Sequence, residues 1–248
     1  MSNNDAMSVM DHIGELRKRV IWVIAVLTLT MIGGLFAAKP VLDYLKNADP
    51  AKGITWNAFS PWDAIGSWMQ VAFVISLAIS LPFTLFQFWL FVKPGLHPTE
   101  QKAAVKYIPA AFLFFFTGLS FAYFVVFPMA FSFTSAVTKS LGLQETYGIA
   151  QYFSFMFNIL IPMSLLFELP IVIMFLTKIR VLNPKRLHKM RRYAYLVLVI
   201  IGTVVTPPDL ISDLLVAIPL IILYEISVLM SGMVYRKQQA VDAARQVE

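Results

Sequence analysis

VIWVIAVLTLTMIGGLFAA (residues 20–38) is nineteen residues without a charge, preceded directly by Arg17-Lys18-Arg19 and followed by Lys39. A bilayer core about 30 Å thick is crossed by roughly 20 apolar residues of α-helix, so this run reads as a transmembrane span. The basic triplet before it and Ala37-Ala38 at its end also suit a secretory signal. Its apolar part is longer than a usual signal core and more spans come after it, so a retained signal-anchor helix is expected. Outward from it lie five further apolar runs: Ile65 to Val92, Tyr107 to Thr138, Thr146 to Thr177, Tyr193 to Pro208 and Leu214 to Tyr235. The chain of 248 residues is 58% apolar and 14% charged, about half the charged share of a soluble domain. The longest polar connection, Lys39 to Trp68, has about 30 residues and is too short to sustain a core of its own. The expectation is an all-α polytopic membrane protein with six transmembrane helices in one membrane-embedded domain, 1–248. Residues 1–19 form an amphipathic cytoplasmic segment, 20–235 the bundle and 236–248 a cytoplasmic tail.

Loop charge orients the bundle, because Lys and Arg resist translocation. Sixteen of the twenty basic residues fall before span one, between spans two and three, between spans four and five, and after span six. Only Lys39, Lys46, Lys52 and Lys139 occupy the alternate loops. Both termini are therefore expected in the cytoplasm. Trp56, Trp62 and Trp68 sit beside the first outer loop, where an interfacial aromatic belt is expected. Pro128, Pro162, Pro170 and Pro219 predict kinks in spans three, four and six, or serve only to shape the bundle. Tyr193 to Val205 offers 13 apolar residues, about 20 Å of helix, before Thr206-Pro207-Pro208-Asp209 forces a turn. The fifth and sixth helices are thus expected to be short, and together they make a hairpin that thins the bilayer or sits in a recess.

Several chemistries are absent. With no cysteine there is no disulfide, thiolate metal site or thiol catalysis. His12, His97 and His188 are far apart, and no HExxH, GxSxG or GxxxxGK[ST] string occurs. The basic residues follow membrane topology and do not form a nucleic-acid footprint. No cofactor and no enzymatic activity are expected.

Four acidic residues need an explanation. Glu168 and Glu225 interrupt apolar spans, about 15 Å from the nearest basic helix end. A charged carboxylate there costs several kcal/mol, so each is protonated, paired or turned to a wet cavity. Either marks function or forms an interhelical hydrogen bond, the latter reading suiting Glu225 better. Ser8 to Arg19 reads as an amphipathic helix, with Val9, Ile13, Leu16 and Val20 at helical spacing and Glu15 and Arg19 as an i,i+4 pair. Glu15 there either offsets neighbouring basic residues or serves recognition. Glu100 comes after Pro98-Thr99 at the predicted start of span three, where an acid also suits a first helical turn.

Five strings taken together carry a resemblance: HIGELRKR (12–19), FVKPGLHPTE (91–100), FELP (167–170), TPPDLISDLLVAIP (206–219) and YEISV (224–228). In this order, on a six-span layout, the sequence resembles the TatC family, the multi-spanning component of the twin-arginine protein translocase. The resemblance implies a receptor for signal peptides bearing paired arginines, in a machine that exports folded proteins across the bacterial cytoplasmic membrane on the proton-motive force. It implies a kinked, concave bundle. It assigns Glu15 and Glu100 to signal binding, with Phe91, Pro94 and Leu96 shaping the loop. It places Glu168 on the concave face against a polar residue of a single-span partner of the TatA or TatB type. Pro40, Asp209 and Glu225 take translocation-related positions. It further implies self-association in a larger complex within the lipid bilayer. Carboxylates suit the task, since a guanidinium makes paired hydrogen bonds to them that lysine cannot reproduce. The competing reading is a proton-coupled small-solute secondary transporter, motivated by Glu168 and Glu225. No repeat between the halves supports it, although many such transporters show one. An intramembrane hydrolase lacks a paired catalytic group.

Overall fold

The structure, a computed structural model, describes residues 9–93, 107–206 and 210–247. The described residues are helical through most of each apolar run, and none forms a strand beyond one isolated bridge, Asn57 with Gly148. Helix α1 spans Val9–Asn47 and α2 spans Asp63–Val92. The third pass is α3, Tyr107–Phe121, a π-helical turn over Ala122–Val126, and α4, Phe127–Ser140. The fourth is α5, Ile149–Leu166, and α6, Leu169–Lys178. Helices α7, Pro184–Val205, and α8, Leu210–Val247, complete six passes. Five passes are long and apolar enough to cross a membrane; α7 is not among them.

Three boundaries depart from expectation. Helix α1 does not stop near Ala38 but continues through Pro40 to Asn47, so Pro40 lies within a helix and not in a loop. Val41, Leu42 and Leu45 pack on the core, and that burial extends the helix beyond its uncharged part. The fifth helix is short only in its apolar part: α7 begins at Pro184 and has 22 residues, with Asn183 Oδ1 accepting the Lys185 amide at 3.0 Å as its N-cap. The sixth, expected to be short, is a 38-residue helix that runs on through the segment read as a tail. Gln238, buried, donates from Nε2 to the Lys178 carbonyl at 2.6 Å and so ties this extension to the end of α6.

Two interruptions of regular α-helix have local causes. Pro128 has no amide hydrogen, and the π turn sits directly before it, absorbing the lost bond. Pro170 likewise removes a donor at the start of α6, and span four breaks at Phe167–Glu168. Span four is the most enclosed pass, with 61% of its most apolar window buried against 6% for α1. Phe153, Met156, Ile159 and Met163 of α5 are fully buried at the centre, with Phe127 of α4 beside them.

Helices approach closely where residues are small and polar groups cross. A Cβ on Gly34 would fall 2.7 Å from the Ala72 carbonyl oxygen, so α1 and α2 touch backbone to backbone. Nearby, the hydroxyls of Thr30 and Ser76 lie 2.8 Å apart and Ser76 donates to the Leu27 carbonyl. The loop after α1 and the loop before α5 are tied together as well. Asn57 exchanges backbone bonds with Tyr147 and Ile149 (3.3 and 2.9 Å), while the Trp56 ring meets Tyr152 and stacks on Phe153. A second hydroxyl pair, Thr177 with Ser231 at 2.6 Å, joins α6 to α8.

Candidate functional site

At the N-terminal end of α1, Glu15 and Arg19 are one helical turn apart and partly enclosed. Arg19 donates to Glu15 Oε1 from Nε (3.1 Å) and from Nη2 (2.6 Å). Its Nη1 reaches across to Gln87 Oε1 on α2, at 3.1 Å. Beneath this chain of contacts lies a groove of about 200 Å³ whose walls include Leu16, Val20 and Val23 of α1 and Thr84, Phe88 and Phe91 of α2. The structure therefore brings Phe91, Arg19 and the neighbourhood of Glu15 together. Pro94, Leu96 and Glu100 lie outside the described residues, as does Asp209.

Glu168 occupies the break in span four, immediately before α6. Its backbone is satisfied: its amide donates to the Leu165 carbonyl and its carbonyl accepts from Val172. Its side chain is buried, and neither carboxylate oxygen has a hydrogen-bond partner among the described residues. Phe167 beside it packs into the space that Gly118 leaves, where a Cβ would meet the ring stem at 2.7 Å. A buried carboxylate without a partner is costly in any apolar setting, and a polar group brought alongside it would be strongly favoured.

Glu225 is the opposite case. Its Oε2 accepts from Arg191 Nη2 at 2.6 Å and its Oε1 from the Tyr195 hydroxyl, so α7 and α8 are clasped through it. One turn nearer the α7 start, the Tyr224 hydroxyl donates to the Leu187 carbonyl at 3.0 Å. Of the two readings open for Glu225, the interhelical hydrogen bond is the one observed. Arg191 and Tyr195 escaped the sequence reading because Arg191 counted only as loop charge. Their i,i+4 spacing on one face of α7 was the available signal.

An apolar groove of about 480 Å³ opens between α1, α2, span three and α5, with Tyr44, Ile75, Phe116, Tyr123 and Phe157 among its walls. The described residues contain no group of three or more His, Cys, Asp or Glu placed to hold a metal ion.

Residues 11–219 match the family model described as Sec-independent protein translocase protein (TatC). The chain belongs to the TatC family. It is 42% identical over 246 residues to the Sec-independent protein translocase protein TatC of Halalkalibacterium halodurans, covering 99% of this chain and 97% of that one. It is 43% identical to the TatCy protein of Bacillus subtilis over 96% of this chain and 94% of the relative. The Escherichia coli K12 TatC is 33% identical over 93% and 90%. Two crystal structures of a twin-arginine translocase receptor, TatC, superpose with TM-scores of 0.76 and 0.78. They are 29% and 30% identical and cover 90% and 89% of this chain and 99% of each of theirs. The TatC match makes the chain a component of the Sec-independent protein translocase and a multi-pass protein of the bacterial cytoplasmic membrane. It also sets aside the small-solute transporter. The matched region takes in Glu15, Phe91, Glu168 and Pro40, whereas Glu225 lies beyond it.

Proposed function

We propose that this TatC-family chain is the receptor for twin-arginine signal peptides and the core subunit of the translocase, acting without catalysis of its own. The observation that carries the reading is the partly enclosed Glu15 carboxylate, paired with Arg19, which itself lines an apolar groove that Phe91 helps to wall. A peptide with two guanidinium groups directly ahead of an apolar segment matches that order: a carboxylate for the charge and a greasy wall for the apolar segment. Glu100 supplies the second carboxylate, with Pro94 and Leu96 setting its loop. Both termini face the cytoplasm, which is the side an unexported folded precursor reaches. Transport draws on the proton-motive force.

The unpartnered Glu168 meets a polar side chain on a single-span helix of the TatA or TatB type, and the α7–α8 hairpin, held by Glu225, offers the docking surface. Pro40 and Asp209 act after binding, and several copies of the chain associate in the working complex.

Photocrosslinking tests the receptor role. A twin-arginine peptide carrying a photoreactive group should label the loop after α2, and Glu100→Gln should abolish that labelling. Unchanged labelling, together with equal labelling by a twin-lysine peptide, would sink the assignment.

A further inference from the structure

We infer that the exposed face of α7 is a binding site for an anionic glycerophospholipid, whose phosphate sits between Lys189 and Arg192 and whose acyl chains lie along the apolar stripe that continues from them. The inference does not depend on the signal-peptide reading; it needs only that the chain spans a bilayer. From Leu169 to Pro208 there is no acidic residue, while seven basic ones fall from Lys178 to Arg192. Arg191 is taken up by Glu225 of α8, and the Tyr195 hydroxyl, one turn on, donates to the same carboxylate. Those two bonds, with Leu187 and Leu198 buried on the same side, fix the rotation of α7 about its axis. The opposite side is left uncovered. Its residues follow at intervals of three and four, Lys185, Lys189, Arg192, Leu196 and Val199, and all are exposed. No ion pair among the described residues engages Lys189 or Arg192.

The order along this stripe is that of a lipid, charge first and hydrocarbon after it. The neighbouring stripe repeats it, with Arg186 followed by Met190, Tyr193 and Val197, again all exposed. The apolar part of α7, from Tyr193 to Val205, is about 20 Å long, against about 30 Å of bilayer hydrocarbon. That mismatch draws the first cations beyond it, Arg192 and Lys189, to the edge of the hydrocarbon, where a charge without a counter-ion is costly. Their stems reach back toward the headgroups, and a phosphate brought between them supplies the missing negative charge, in paired hydrogen bonds with the Arg192 guanidinium. A zwitterionic lipid offers the same phosphate but carries its own ammonium, so the net field of the stripe selects the anionic one.

The test places a fluorophore on this face through Val197→Cys, a single site because the chain has no cysteine of its own. Position 197 is five residues from Arg192, about 8 Å along the axis, and so reads the same leaflet. The full-length protein is held in nanodiscs of equal phosphatidylglycerol and phosphatidylcholine, with quenching bromines on the chains of one lipid and then of the other. Phosphatidylglycerol should be enriched beside the fluorophore several-fold over its bulk share, roughly fivefold being the worth of one Lys or Arg at a bilayer surface. Lys189→Gln with Arg192→Gln should bring the two lipids to near equality. Lys39→Gln with Lys52→Gln, which removes as much charge elsewhere, should leave the enrichment unchanged. A fluorophore at Leu29→Cys, exposed in the middle of α1, should see both lipids equally. Equal quenching at position 197 overturns the inference, and so does an enrichment that survives loss of both cations or is as large at position 29. If the Lys189→Gln, Arg192→Gln protein does not elute as folded in gel filtration, Arg192→Gln alone decides: a several-fold drop in enrichment supports the site, and an unaltered value removes it.

Discussion

Arg191 Nη2 lies 2.6 Å from Glu225 Oε2, and the Glu168 carboxylate has no hydrogen-bond partner among the described residues; the two acids should answer replacement differently. Removing one side of the Arg191–Glu225 pair leaves the other polar group stranded between α7 and α8, which costs about 2 kcal/mol. Arg191→Leu and Glu225→Leu should each lower the melting temperature of the purified protein. The double variant should recover much of the loss, because no orphaned charge remains. A double variant as unstable as the sum of the singles would show that the two groups do not interact. Glu168→Gln, by contrast, replaces one unpartnered polar group by another of the same shape, so the melting temperature should stay within the error of measurement. What it should lose is capture of a single-span partner in copurification from mild detergent. Capture at the wild-type level would remove Glu168 from the partner interface.

At the level of the helix, close packing decides tolerance. Gly33 and Gly34 are neighbours on α1, but a Cβ at Gly33 meets nothing within 4 Å, whereas one at Gly34 falls 2.7 Å from the Ala72 carbonyl oxygen. Gly34→Val should push α1 from α2 and cost about 1–3 kcal/mol, as overpacking does, while Gly33→Val should leave the melting temperature almost unaltered. Equal effects at both positions would contradict the packing of α1 on α2. The six passes themselves were readable from hydropathy, because the length of an apolar run is a local property that the bilayer imposes. The helix ends were not. Residues 39–47 carry charges, a proline and only Val41, Leu42 and Leu45 for burial, so their helix exists because of neighbours that hydropathy does not reveal. The break at Glu168 was legible in Pro170, and the lone buried acid in its apolar surroundings. Pairings across distance were not legible: Arg191 is 34 residues from Glu225, and Gln87 is 68 from Arg19, reading only as one more uncharged residue in span two. Such contacts depend on helix rotation and register, which are set by packing and not by composition.

For the whole molecule the open quantity is its direction across the membrane, which sixteen basic residues on one set of loops against four on the other argue to be termini-in. The fold sharpens the argument. The loops bearing few basic residues are bound to each other through Asn57, Tyr147 and Ile149, so they share one side as a unit. The basic residues at the start of α7, from Lys185 to Arg192, belong to a helix and not to a free loop, and they hold its first half at the opposite face. Because the chain has no cysteine, single cysteines report each side without background. Lys52→Cys and Leu141→Cys, in the two joined loops, should react in intact cells with a membrane-impermeant maleimide. Lys185→Cys and Arg236→Cys should react only after the membrane is permeabilised. The reverse pattern would turn the molecule over and place Glu15 on the outer face, away from any unexported precursor. That outcome would overturn the receptor proposal while leaving the helix packing untouched, so labelling separates the orientation from the fold.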